Sequence, residues 1–352
     1  MKNAALFLLL LSSGTASATP PGETAVPYLQ LSQPRQVLAE AQAWEDQQFP
    51  HTMSVLERRS GGYRYWGWYG LENGRGIGLA RSNDLLHWNK YPGNPLQTNA
   101  RWPSVLDHVE REHPETVYLA FCRNFDPPSG DAVNTADNNV VRISNSYIVL
   151  AKSTDGIHIT QVKTLVEPMP DQHNQNPDLF RDPSSGRYYL TFYRGNEKDQ
   201  FAIISRNAAA PEGLSEASEK VLLYSTETIA APNLLYVAPP PGAGRKEVRS
   251  AGASGSSDAA RSDGRHSGVY YLAIEIYPYR DTDNPAGEWQ VKILTGDAPD
   301  GRFRPVAGDP IALRGQRACL FQHIFGNRFY GYACHKATGE QWILEEVEAV
   351  LP

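Results

Sequence analysis

The stretch 176–194, NPDLFRDPSSGRYYLTFYR, decides the fold: a proline, one variable residue, a short apolar run, a turn and an aromatic strand. The apolar runs are too short for helices, and Asp182-Pro183-Ser184-Ser185-Gly186 supplies a reversal between them. Working outward, the same order recurs. Pro50-His51-Thr52-Met53, Pro103-Ser104-Val105-Leu106 and Pro232-Asn233-Leu234-Leu235 open similar units, and Ala318-Cys319-Leu320-Phe321 opens a degenerate fifth. Each leads to an aromatic strand and then to a third run, such as GIGLARSNDLLHW (76–88) or YIVLAKSTDGIHI (147–159).

The spacing supports a repeat. Pro50 to Pro103 is 53 residues and Pro177 to Pro232 is 55. Pro103 to Pro177 is 74, lengthened by a polar stretch near 125–145, and Pro232 to Ala318 is 86, of which the segment 238–268 supplies 31. Five units, each with three or four short strands, predict an all-β fold: a five-bladed β-propeller of roughly four antiparallel strands per blade around a central funnel. A β-sandwich competes less well, because its strands do not return in sets of four. The run VPYLQLSQ (26–33) is expected to complete the last blade, which otherwise stops after its third strand. The segment 238–268 is nearly free of apolar residues and reads as a disordered insertion.

Composition narrows the function. Of 352 residues, 39 are acidic and 33 basic, a net charge of -6 without a basic block, which argues against a nucleic-acid partner. Residues 1–18 read as a signal peptide: Lys2, an apolar run from Ala4 to Leu11 and the Ala16-Ser17-Ala18 cleavage signal. The expectation is a secreted or periplasmic protein cut after Ala18, with 19–352 as one domain, no membrane span and a monomeric state. Three cysteines exclude a disulfide scaffold. Pairing outward from a Gly326-Asn327 turn sets Cys319 opposite Cys334, which leaves a disulfide open, with Cys122 as a buried hydrophobe.

The closing of the first unit, GIGLARSNDLLHWNKYPGNPL, and the opening of the third resemble the five-bladed propeller glycosidases. The likeness is above all to glycoside hydrolase family 43, with relatives in families 32, 62 and 68. The resemblance implies a funnel lined by the starts of the innermost strands, with three carboxylates at strand starts. This chain departs at all three: Phe49-Pro50, Asn176-Pro177 and Ala230-Ala231-Pro232 stand where acids are implied. Glycoside hydrolysis ordinarily needs two carboxyl groups, so the family's catalytic residues do not carry over.

Other residues fall at the funnel in such a fold. First-strand starts carry His51, Trp102, Asn176, Asp178, Asn233 and Arg317; second-strand ends carry Tyr69, Arg123, Arg194, Glu275, Tyr277 and His335. Asp178 lies near the vacated acid position and Glu275 sits in an apolar run, where an acid must be paired or functional. They are the candidate catalytic pair, and the other ten are candidate substrate-binding residues. Aromatic faces stack on sugars, and Arg, Asn and His bond hydroxyls. No cofactor is expected; Asp126, Asp131 and Asp137 crowd one loop without a calcium-site spacing, and His323 and His335 lack a third zinc ligand. Three readings remain open: a glycoside hydrolase with unusual acids, a noncatalytic propeller binding a carbohydrate or an envelope partner, and a phosphorylase using Arg123, Arg194 and Arg317 as its phosphate cradle.

Overall fold

The computed structural model describes residues 30–31, 35–38, 41–45, 50–71, 75–107, 116–124, 146–169, 172–196, 200–238, 268–277, 290–305, 311–314, 316–325, 328–336 and 342–350. Side chains are described for these except at 30–31, 124, 196, 311–329 and 333–350. The described residues form five antiparallel sheets.

In the first sheet, Pro50–Ser60, Tyr63–Leu71, Gly76–Ser82 and Trp88–Lys90 follow in order, with Gln97–Thr98 also on the third strand. The second holds Arg101–Asp107, Val117–Asn124, Ser146–Ser153 and Thr160–Val166. The third holds Gln172–Arg181, Tyr188–Asn196, Phe201–Ala208 and Lys220–Ser225. The fourth holds Thr228–Val237, Val269–Tyr277 and Gln290–Gly296, edged by Arg304–Pro305 and Ile311–Arg314. The fifth holds Gln316–Phe325, Arg328–Lys336 and Trp342–Val350, and is finished by Gln30–Leu31 and Arg35–Leu38 from the other end of the chain. Gln30 pairs with Val350, so the N-terminal run does complete the last sheet. The first strands touch one another in cyclic order, the fifth returning to the first, so they surround a common axis. This is an all-β propeller-type fold.

Local chemistry makes the strands. Aromatic and β-branched runs form the second strand of each sheet, and Gly61 and Gly62, at φ 60° and 79°, make the two-residue reversal that closes Ser60 onto Tyr63. Third strands of the first two sheets end in matching turns. Asp84 Oδ1 accepts the Leu86 and His87 amides, and Asp155 Oδ1 those of Ile157 and His158. Against the opposing pull of burial, hydrogen bonds from the His87 and His158 rings and then from these amides hold the two aspartates below the usual carboxylate range. Their contribution to stability is present above the unfolded pKa and lost as pH falls.

Apolar residues pack between consecutive sheets. Trp66, Trp68, Leu119 and Phe121 join first to second, and Leu150, Tyr188, Leu190 and Phe192 join second to third. Tyr193, Phe201, Leu234 and Leu272 join third to fourth, and Met53, Tyr65, Tyr330 and Tyr332 join fifth to first. Gly70 sits where the first and second sheets approach closely. A Cβ there would lie 2.7 Å from the Trp102 backbone nitrogen and 2.9 Å from Pro103, neither of which can swing away. Gly70→Ala is expected to cost about 1–3 kcal/mol by overpacking, measured by urea unfolding.

Two expectations are corrected. The repeat places Pro50 level with Pro103, yet Ser54 Oγ accepts the Val105 amide as Ser104 Oγ accepts that of Leu179. Ser54 is therefore the counterpart of Ser104, and Met53, not Pro50, stands at the proline position. The pairing of the fifth sheet starts as expected, with Phe325 opposite Arg328, but register shifts between His323 and Phe325 and between Arg317 and Leu320 put Arg317, not Cys319, opposite Cys334. The insertion falls between the first two strands of the fourth sheet, Thr228–Val237 and Val269–Tyr277; residues 239–267 lie outside the described residues, as do 1–18.

Candidate functional site at the axial strand starts

The innermost strands of three sheets break register at one level: between Arg101 and Ser104, Gln175 and Asp178, and Ala230 and Asn233. Inside each break a non-glycine residue precedes a proline with positive φ: Trp102 at 51°, Asn176 at 50° and Ala231 at 46°. Proline disfavours helical backbone before it, and L-residues avoid positive φ. Each such residue costs roughly 1–3 kcal/mol, and strain of this kind collects at functional sites.

The residues after these prolines form a latch between sheets. Ser104 Oγ donates to Asp178 Oδ1 at 3.2 Å. Asp178 Oδ2 accepts the Leu234 amide at 2.7 Å, and Oδ1 also accepts Asn233 Nδ2 at 3.4 Å. Second, third and fourth sheets thus meet on one carboxyl. Asp178 is buried, which pushes its carboxyl up to about 7 although these three bonds pull it down.

Glu275 is also buried and lies on the second strand of the fourth sheet, directly opposite Ala230. Burial, and then the nearby Glu275 charge, push the Tyr193 phenol above its ordinary range. His51 is buried at the register break of the first sheet, and its Nδ1 accepts the Trp102 indole N–H at 3.0 Å. That bond leaves the proton of a neutral ring on Nε2. Arg101 lies over the Trp102 ring at 4.7 Å. His51, Trp102, Asn176, Asp178 and Asn233 are thus brought to one level of the innermost strands.

Other candidates are engaged elsewhere. Tyr69 donates to Glu45 at 2.7 Å in a buried cluster of the first sheet. Arg194 makes a two-pronged ion pair with Glu219, at 2.6 and 2.9 Å, and bonds Asn174. Arg123 bonds Gln97 at 2.9 Å. Arg123 and Arg194 thus each hold a protein oxygen, on different sheets. Tyr277 is half-buried at the end of its strand. Arg317 and His335 sit near one another in backbone register, opposite Cys334 and Gln316, with side chains outside the described residues. Asp126, Asp131 and Asp137 lie outside them too. Asp182 caps a turn, as its sequence context suggests, accepting Ser184 and Ser185 amides and the Tyr270 hydroxyl.

Sequence reasoning passed over Arg101, Asn174 and Gln175, all buried near this level. Their signal was the polar run His173-Asn174-Gln175-Asn176 opening an innermost strand, where apolar residues are the rule. Among the described residues, no group of three His, Cys, Asp or Glu could hold a metal ion, and no helix is long and apolar enough to cross a membrane.

No protein-family profile matches the chain, and no curated protein matches it in sequence. Solved structures do match in shape. A thermostable family-43 glycoside hydrolase superposes with a TM-score of 0.55 at 13% identity, covering 85% of this chain and 88% of that one. An exo-1,5-α-L-arabinanase from a bovine ruminal metagenomic library gives 0.52 at 14%, covering 86% and 97%. A fructofuranosidase from Schwanniomyces occidentalis gives 0.54 at 12%, covering 86% of this chain and 56% of that one. The chain therefore shares the propeller fold of the family-43 glycoside hydrolases and of their arabinanase and fructofuranosidase relatives.

Proposed function

We propose that this protein is an exported, glycosidase-like five-bladed propeller, its five sheets being the blades, that binds a carbohydrate at the axial strand starts without hydrolysing it. One observation carries the reading. The axial acid that sequence offers, Asp178, spends both oxygens on bonds that join three sheets, while the strained positions beside it hold Trp102, Asn176 and Ala231. A general acid or base must reach the substrate proton, and a carboxyl satisfied by three protein donors does not. What remains suits recognition: the His51–Trp102 pair and Asn176, buried at the axial strand starts, bring an aromatic ring and hydrogen-bonding groups to that level. The structural neighbours support a glycan as the ligand class.

Calorimetric titration with arabino-, xylo- and fructo-oligosaccharides tests this. The expected result is saturable binding without release of reducing sugar, weakened about tenfold by Asn176→Ala. Sugar release that disappears in Glu275→Gln would overturn it in favour of hydrolysis. That second reading rests on Glu275 alone, which stands across from Ala230, where the resemblance implies an acid.

A further inference from the structure

A second cleft lies away from the axis, where the chain closes its ring. The strand Arg35–Leu38, bound to the fifth sheet, forms one wall, and Trp88–Lys90, the outer strand of the first sheet, forms the other. The cleft encloses about 640 Å³, within the roughly 300–1,000 Å³ typical of small-molecule sites.

Gln42 and Lys90 line the cleft and are held from beneath by Glu45. Glu45 is fully buried, and its Oε2 accepts Lys90 Nζ at 2.7 Å and the Gln42 amide at 2.9 Å. Gln42 is locked in turn: its Oε1 accepts from Trp44 and Asn94, and its Nε2 donates to the Tyr91 carbonyl. The walls are mixed. Trp88 and Val37 supply apolar surface, and the exposed amides of Gln36 and Asn89 flank them. The Trp88 indole N–H is fixed on the Leu85 carbonyl at 2.8 Å, and its ring meets Tyr332 edge-on. A held indole flanked by amides is the chemistry that takes a sugar ring: C–H faces stack on the aromatic, and hydroxyls exchange bonds with amides.

We propose that this cleft is a second saccharide-binding site for a neutral sugar unit, with Trp88 as the stacking surface and Gln36 and Asn89 as hydroxyl partners. It is independent of the axial site in its residues. An extended glycan engaging both sites would gain avidity without any new contact at either.

The test is calorimetric titration of the whole protein with the same neutral oligosaccharides, on four forms: wild type, Trp88→Ala, Gln36→Ala/Asn89→Ala and Asn176→Ala. Wild type is expected to bind at two sites. Trp88→Ala should weaken one of them about tenfold and leave the other. Because Trp88 also packs against the fifth sheet, the double amide variant guards against a folding defect; its exposed side chains leave the core intact, and it should weaken the same site about threefold. Asn176→Ala should spare that site. One-site binding lost in Asn176→Ala and unchanged in both cleft variants overturns the cleft and leaves the axial reading standing. Binding lost only in the cleft variants overturns the axial reading instead, and no saccharide binding by wild type overturns both.

Discussion

Asp178→Ala is expected to lower the unfolding free energy by about 2–4 kcal/mol, because it strands the buried Leu234 amide and the Asn233 side-chain amide together with the Ser104 hydroxyl. Asp178→Asn should behave differently, and its pH profile is the sharper test. The wild-type carboxyl has a folded pKa of about 7 against an unfolded 3.8. A raised folded value means the folded chain holds the proton more tightly. The stability this adds is complete below about pH 4 and is lost as pH rises through 7. Asparagine cannot ionise, so it lacks that loss: its oxygen still accepts the Leu234 amide, but its NH2 must find acceptors where the carboxyl had donors. Urea unfolding should therefore show Asp178→Asn less stable than wild type near pH 5, with the gap narrowing as pH rises to 8. A gap that widens with pH would mean the carboxyl is ionised and stabilising in the fold, and the latch would need a different account.

The fold was legible because its signal is repeated. Five proline-led or proline-like strand starts, each followed by an aromatic strand, overdetermine the architecture even where one copy decays to Ala318-Cys319. The miscount in the first sheet arose because Pro50 is also a proline, four residues before the residue that makes the latch. Only a hydrogen bond between sheets, Ser54 to Val105, shows which residue is equivalent.

The same limit governed the candidate site. Alternation along a strand says which residues share a face, but a one-residue shift of register, as between Gln175 and Asp178, reverses that assignment beyond it. Asp178 follows such a break, so sequence placed it at the right level of the molecule without showing that it would bind the neighbouring sheet. Arg194 was named for its charge and strand position, yet its partner Glu219 comes from before the outermost strand of its own sheet. Nothing in the spacing of 25 residues announces that pair. By contrast, the matched turns Ser82-Asn83-Asp84 and Ser153-Thr154-Asp155 were visible as a repeated motif, because their bonds are made within a few residues.

The second large effect is expected at the ring closure. Lys90→Met removes the only cation among the described residues that touches the buried Glu45 carboxylate, leaving it the Tyr69 hydroxyl and the Gln42 amide. A buried charge that loses its counter-ion typically costs about 3–5 kcal/mol, far more than an exposed pair contributes. The loss falls on the segment that carries Gln42, adjacent to the strand that completes the fifth sheet, so the first and fifth sheets should separate more readily there. Glu45→Gln in the same chain should return much of the stability, since a neutral amide can still accept from Tyr69 without needing a cation. A double-mutant cycle by urea unfolding measures the coupling directly. Strong coupling, with the double variant more stable than Lys90→Met alone, is the expected outcome. Additive losses would show that Lys90 acts through its packing over the Tyr69 ring, 5.5 Å from its centre, and not through its charge on Glu45.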